Sequence, residues 1–164
     1  MSTGLFVFTI VHVAISLLGI ASGFVVLFGL IGGKRLDGWT ALFLATTVAT
    51  SVTGFFFPIT RLTPGLVLGA ISLIVLAAAI YARYARRLAG GWRRVYVVAA
   101  VAALYFNFFV LVVQSFQKIP ALRALAPTQS EPPFAIVQAV TLAAFLVLGY
   151  LAATRFREEA TAAA

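Results

Sequence analysis

The side chains best suited to catalysis or metal binding are scarce in this sequence, and their positions exclude several kinds of site. There is no cysteine, which excludes disulfides, thiol catalysis, iron–sulfur clusters and thiolate metal sites. The four acids, Asp37, Glu131, Glu158 and Glu159, lie outside the long apolar runs, so we expect no carboxylate proton relay inside a membrane. His12 is the only histidine and cannot supply bis-histidine haem ligation. We therefore expect a non-enzymatic protein without a cofactor.

The remaining polar residues have the chemistry of a binding site for a small molecule. Their imidazole, amide and hydroxyl groups donate and accept hydrogen bonds without transferring groups. The candidates are His12, Thr53, Tyr105, Asn107, Gln114, Gln117 and Gln138. At a rise of about 1.5 Å per residue, most of them lie within about 12 Å of one membrane boundary. The sequence predicts a polar pocket open to that side, with Tyr105 and Asn107 at its floor.

A plainer interpretation of the same residues remains open. Polar side chains in membrane helices often form hydrogen bonds between helices and bind no ligand. The hydroxyl-rich side of residues 46–54 and the motifs Gly19-x-x-x-Gly23 and Gly65-x-x-x-Gly69 fit close helix packing in the same way. Such glycine motifs also occur at homodimer faces.

These residues lie on apolar segments that are long enough to cross a membrane. The chain is 63% hydrophobic and 10% charged, with a mean hydropathy of +1.09, which is outside the range of soluble domains. Five apolar segments are predicted as helices, at about residues 5–31, 39–58, 65–84, 94–117 and 134–154. We therefore expect an all-α integral membrane protein, a single domain of five transmembrane helices.

The orientation of the bundle follows from its basic residues. One side of the predicted membrane holds nine of them, and these are Lys34, Arg35, Arg83, Arg86, Arg87, Arg93, Arg94, Arg155 and Arg157. The other side holds Arg61, Lys118 and Arg123. Cytoplasmic loops carry the excess of lysine and arginine, so the N-terminus is predicted outside and the C-terminus in the cytoplasm. The first segment lacks a basic start and exceeds a signal peptide's apolar region, so it is predicted to remain as a span.

The net charge of +8 does not indicate nucleic-acid binding, because the basic residues flank predicted helices and no nucleic-acid motif is present. Their expected roles are to set the topology and to attract anionic lipid at the cytoplasmic face.

The longest connection, the predicted outer loop 118–133, contains four prolines and one expected short turn around residues 121–126. It could be a lid over the pocket or a stiff connector.

Three functions remain possible from the sequence. The favoured hypothesis is a protein of the bacterial inner (plasma) membrane that binds or passes a small amphipathic molecule through an outward-facing pocket. An alternative is an interaction or assembly subunit that packs against another membrane protein. The third is a quinone-linked redox protein, in which His12, a glutamine or Tyr105 would hydrogen-bond a quinone carbonyl.

Overall fold

A computed structural model describes residues 3–58 and 64–157, and within these ranges the chain is helical with no strand. The helices are α1 (Thr3–Ile31), α2 (Asp37–Gly54), α3 (Pro64–Ile80), α4 (Trp92–Lys118), α5 (Pro120–Leu125) and α6 (Pro132–Arg155). A π-helical turn, Tyr81–Ala85, continues α3. Arg61, Glu158 and Glu159 lie outside the described residues.

Four helices are long and apolar enough to cross a membrane: α1, α3 with its π turn, α4 and α6. This supports a multi-pass membrane protein. The remaining predicted segment, 39–58, corresponds to α2, which has 18 residues and ends at Gly54. The predicted end at Pro58 was too late because residues 55–57 are phenylalanines, and an apolar run hides the end of a helix from a hydropathy reading.

The helices pack around α4, which contacts α1, α2, α3, α5 and α6. Helix α1 packs along α2 and α6 as well, whereas α3 packs against α2 and α4. One end of the bundle holds the starts of α1, α3 and α6 and the ends of α2 and α4. We call it the Thr3 end. The largest buried side chains belong to the other half, and they include Tyr96, Phe43, Leu27, Leu30, Leu76 and Leu104. The dense core is therefore displaced away from the Thr3 end.

Two glycines allow α1 to approach α2 and α4 closely. A Cβ atom on Gly23 would lie 2.5 Å from Leu104 Cδ1 and 2.9 Å from the Phe43 ring. On Gly19 it would lie 3.2 Å from the hydroxyls of Thr46 and Thr47. This glycine motif is therefore used within the chain, and a homodimer would need another surface.

Arg83 is buried, although its position in a basic cluster predicted a membrane-flanking charge. It lies in the π turn, is 2% exposed, and forms an ion pair with Asp37. Its guanidinium carbon lies 5.1 Å from the centre of the Tyr96 ring, within the range of a cation–π contact. A π turn contains an extra residue, which changes the direction of the side chains that follow. The hydropathy pattern carries no sign of that change.

Helix α6 leaves much of its apolar surface uncovered. Ile136, Val140, Leu146, Val147 and Tyr150 are each at least 59% exposed. In water such a surface would promote aggregation, whereas hydrocarbon is a suitable solvent for it. The exposed side of α6 is therefore a further sign of a membrane environment.

Candidate functional site

The Thr3 end of the bundle contains a cavity of about 690 Å³, bordered by α1, α2, α3 and α4. Its lining comes from the first half of α1, the second half of α2, the start of α3 and the second half of α4. Leu17, Leu68 and Phe106 contribute apolar wall, and most of the lining area is apolar. Polar groups come mainly from α1, α2 and α4. The volume lies within the range of about 300–1,000 Å³ that is usual for small-molecule sites.

His12 lies on the α1 wall, where Thr53 of α2 fixes its ring. The His12 Nδ1 atom is 2.8 Å from Thr53 Oγ1, and that hydroxyl also lies 2.7 Å from the Ala49 carbonyl oxygen. Because a threonine hydroxyl has one hydrogen and donates it to the carbonyl, Nδ1–H is the donor to Thr53. In the neutral imidazole, Nε2 is then the acceptor. Phe57 also packs edge-on against the His12 ring, with ring centres 5.0 Å apart.

Asn107 lines the cavity at the junction of α4 with α1. The Ser16 hydroxyl donates to Asn107 Oδ1 at 3.0 Å, and Asn107 Nδ2 donates to the Ser16 carbonyl oxygen at 3.5 Å. The residue is 8% exposed. Its amide thus forms an interhelical contact of the kind that stabilises membrane bundles. A substitution at Asn107 would disturb packing as well as the cavity.

Thr50 differs from the other threonines of α2. Thr46, Thr47 and Thr53 each donate to the carbonyl four residues earlier at 2.7 Å, so their hydroxyls are satisfied within the helix. The Thr50 hydroxyl is buried and has no hydrogen-bond partner among the described residues. A buried hydroxyl without a partner costs free energy. Thr50 lines the cavity, and the two χ1 rotamers open to a helical threonine allow its hydroxyl to turn toward a bound molecule.

Gln114 and Lys118 line the part of the cavity nearest the end of α4, and both are exposed. Lys118 is the only basic residue among the described lining residues apart from His12, and none of them is acidic. The ion pairs found in residues 3–58 and 64–157 involve Asp37, with Arg35 and Arg83, so Lys118 has no acidic partner there.

The predicted site residues are therefore divided. His12, Asn107 and Gln114 line the cavity, and Thr53 lies behind His12 as its hydrogen-bond partner. Three others are directed elsewhere, and their predicted ligand role has no support from the cavity. Tyr105 packs against Phe145 of α6, Gln117 donates to Gln129, and Gln138 donates to the Phe109 carbonyl oxygen.

Sequence reasoning did not select Thr50 or Lys118 as site residues. Thr50 lies on the hydroxyl-rich side of α2. The sequence does not show that the hydroxyls of the neighbouring threonines bond to backbone carbonyls and that the Thr50 hydroxyl does not. The spacing of Lys118 puts it on one helix face with Asn107 and Gln114, but its position at the end of the helix also fits an ordinary membrane-flanking charge. Only the packing of α4 against α1 and α3 places its side chain on the cavity.

Beyond Lys118 and Ile119, which border the cavity, the loop 118–133 folds against α4. Gln129 donates to the Val113 carbonyl oxygen at 2.9 Å, and Phe116 packs edge-on against Phe134. Within residues 120–133 no residue lines the cavity, so in this structure the loop is a connector and not a lid.

The end of that loop is held by the carboxylate of Glu131. Desolvation raises the pKa of this group, but hydrogen bonds outweigh it and bring the pKa below its usual range. The donors are the N–H groups of Thr128 and Ser130 and the Thr128 hydroxyl, at 2.9–3.1 Å. This carboxylate is therefore occupied by its own loop and does not approach Lys118.

Among the described residues there is no group of three or more histidine, cysteine or acidic side chains that could hold a metal ion. Comparison with protein-family models, with curated proteins and with solved structures finds no match for this chain. The function must therefore be argued from the cavity itself.

Proposed function

We propose that this chain is a five-span protein of the bacterial inner membrane, and that it binds or passes a small amphipathic molecule through an outward-opening cavity. The observation that carries the proposal is the cavity of about 690 Å³ at the Thr3 end, which has apolar walls and polar groups on four helices. Small-molecule sites combine a mainly apolar surface with a few polar groups that fix orientation.

In this proposal α2 is the fifth span. Its 18 residues extend for about 27 Å at 1.5 Å per residue, close to the thickness of a hydrocarbon core. Its threonines lower its hydropathy, but most of their hydroxyls bond to carbonyls of the same helix, so they cost little in lipid. With five spans, the excess of basic residues at the other end of the bundle favours a Thr3 end that faces outside.

The lining suggests how such a molecule would lie. Its polar end would meet the Gln114 amide and the Thr50 hydroxyl, and its apolar part would run along Leu17 and Phe106. Asn107 is already paired with Ser16 and would contribute less.

Native mass spectrometry of the protein, gently extracted from membranes, tests this proposal. We expect a reproducible small-molecule adduct on the unmodified chain. Ser51→Phe places a ring in the cavity and should abolish the adduct, because Ser51 lines it. Val52→Phe is the matched control, since Val52 is the next residue, is 39% exposed and does not line the cavity. A chain without an adduct, or an adduct equally retained by Ser51→Phe, would contradict the proposal.

The alternative of an assembly subunit is distinguished by the same measurement. The glycine motif of α1 and the amide of Asn107 are used within the chain, so an assembly role would need the exposed side of α6 or another surface. A mass that includes another protein subunit, with no small molecule, would favour this alternative.

Anionic lipid remains the proposed partner at the opposite end of the bundle. Arg93, Arg94 and Arg157 border a cleft of about 660 Å³ there, between the start of α4 and the end of α6. Basic residues near a membrane surface each contribute about 1 kcal/mol to the binding of anionic lipid.

A further inference from the structure

We propose that the cavity selects amphiphiles whose polar end is an anion, with Lys118 as the selecting charge. This inference rests on the proposed function and specifies the chemical class of its ligand. The probe class is a straight-chain carboxylate, because it combines one negative charge with an apolar body.

The first reason is the charge of the lining. No acidic residue is found among the described residues that border the cavity, and Lys118 is the one lysine or arginine there. The lining therefore has a positive charge with no negative charge to balance it. A cationic ligand would be repelled by Lys118, and a neutral ligand would gain no charge pairing from it.

The second reason is that Lys118 has no acidic partner within the described parts of the chain. Asp37 is engaged with Arg35 and Arg83 at the opposite end of the bundle. Glu131 is the acid closest in sequence, and its carboxylate accepts hydrogen bonds from Thr128 and Ser130. The ammonium group is thus available to an anion from outside the chain.

The third reason is the hydrogen-bond donors that lie deeper in the same cavity. A carboxylate only accepts hydrogen bonds, so its oxygens need donors. The Thr50 hydroxyl lacks a partner, and the Gln114 amide is exposed on the same wall as Lys118. An alcohol could satisfy the hydrogen bonds as well, so charge and not hydrogen bonding must separate the two ligands.

Equilibrium dialysis of the protein in nanodiscs of zwitterionic lipid tests this selection. The probes are octanoate with octanol, and myristate with tetradecanol, at neutral pH, with empty nanodiscs subtracted. We expect each carboxylate to bind about tenfold more tightly than its alcohol, as one partly exposed charge pair would give. Lys118→Gln should remove that difference and leave the alcohol affinity unchanged. Lys118→Arg should preserve it.

Arg123→Gln is the matched control. Arg123 is an exposed basic residue of α5, five residues beyond Lys118, and it does not line the cavity. Its loss should not alter the preference for carboxylates.

The outcomes separate this inference from the function on which it rests. Equal affinity for the carboxylate and the alcohol in the unmodified protein would overturn the charge selection and leave an amphiphile site. A parallel loss of both affinities in Lys118→Gln would also overturn it, because the lysine would then act through structure. If neither kind of probe binds specifically, the proposed function fails together with the inference.

Discussion

Thr50 carries a buried hydroxyl that no described neighbour satisfies. Removal of this hydroxyl should therefore affect ligand binding without affecting stability. We expect Thr50→Val, which keeps the shape of the side chain, to lower the octanoate affinity about three- to tenfold, the value of one hydrogen bond. Thermal stability should not fall, because the change removes a polar group that had no partner. Binding by equilibrium dialysis and unfolding by scanning fluorimetry measure the two effects.

Thr46→Val is the control for that experiment. The Thr46 hydroxyl bonds to the Leu42 and Phe43 carbonyl oxygens, and the residue does not line the cavity. If Thr50→Val unfolds at a clearly lower temperature and binds normally, the hydroxyl has a structural role instead.

Asp37 and Arg83 give a second prediction at the level of single residues. Asp37→Asn leaves the guanidinium of Arg83 buried without its counter-charge, although Tyr96 still stacks against it. Loss of one partner of a buried pair costs about 3–5 kcal/mol, and we expect about 2 kcal/mol here because the Asp37 side chain is 72% exposed. Chemical unfolding in mild detergent measures the loss.

The double variant Asp37→Asn/Arg83→Met tests the cause of that loss. Replacement of a buried ion pair by apolar groups is often neutral, so the second change should restore most of the stability. A double variant less stable than Asp37→Asn alone would show that Arg83 contributes by packing and not by its pairing with Asp37.

Single residues also show where prediction from the sequence stops. The polarity of His12 and Asn107 within apolar runs identified them as candidates, but only the structure supplies their partners, Thr53 and Ser16. Those partners lie 41 and 91 residues away in the chain. Without the helix packing, a residue that binds a ligand and one that joins two helices look the same.

At the level of helices, the packing of α1 depends on Gly23. A methyl group there would lie 2.5 Å from Leu104 Cδ1 and 2.9 Å from the Phe43 ring, so these buried side chains or α1 itself would have to shift. Overpacking of a core costs about 1–3 kcal/mol, and we expect Gly23→Ala to destabilise the bundle by that amount. Unfolding in mild detergent measures it.

Gly38→Ala in α2 is the comparison, because a methyl group at this position would have nothing within 4 Å of it and the φ of Gly38 is not left-handed. It should be neutral or slightly stabilising, since alanine favours helix formation. Equal effects of the two changes would contradict the close approach of α1 to its neighbours.

The helices were largely predictable, and their irregularities were not. Apolar length identified the segments, and Gly33, with a φ of 73°, ends the first helical region as a glycine after a helix should. The π turn at Tyr81–Ala85 left no mark in the hydropathy pattern. Hydropathy depends only on the residue type, so an arginine scores the same whether its side chain faces water or the interior. The burial of Arg83 could therefore not be inferred.

At the level of the whole molecule, the proposed orientation can be tested by labelling. The chain contains no cysteine, so a single introduced cysteine is the only thiol that a maleimide can modify. Ser130 and Ala89 are exposed and lie at opposite ends of the bundle. We expect a membrane-impermeant maleimide to label Ser130→Cys in intact cells and to label Ala89→Cys only after lysis.

The reverse labelling pattern would place the cavity on the cytoplasmic side. Labelling of both positions from one side would mean that α4, the one long helix between them, does not cross the membrane. Either result would require a new account of what reaches the cavity.

The common depth of the polar residues predicted a cavity-like region at one end, but it could not predict the direction of each side chain. Helix α4 contacts five other helices, so its different sides face different neighbours. Asn107 and Gln114 face the cavity between α1 and α3, whereas Tyr105 faces α6. The spacing of residues along a helix shows which of them share a side of it. It does not show which other helix that side faces.

The π turn of α3 also has a consequence for how this chain can change over generations. A π turn is a helix that accommodates one surplus residue, so loss of a residue between positions 81 and 85 would leave a regular helix. The same deletion in the middle of α1 or α4 would rotate half of a packed helix out of register. Length variation should therefore be tolerated here, and a relative that lacks the surplus residue should also lack a buried arginine paired with the start of α2.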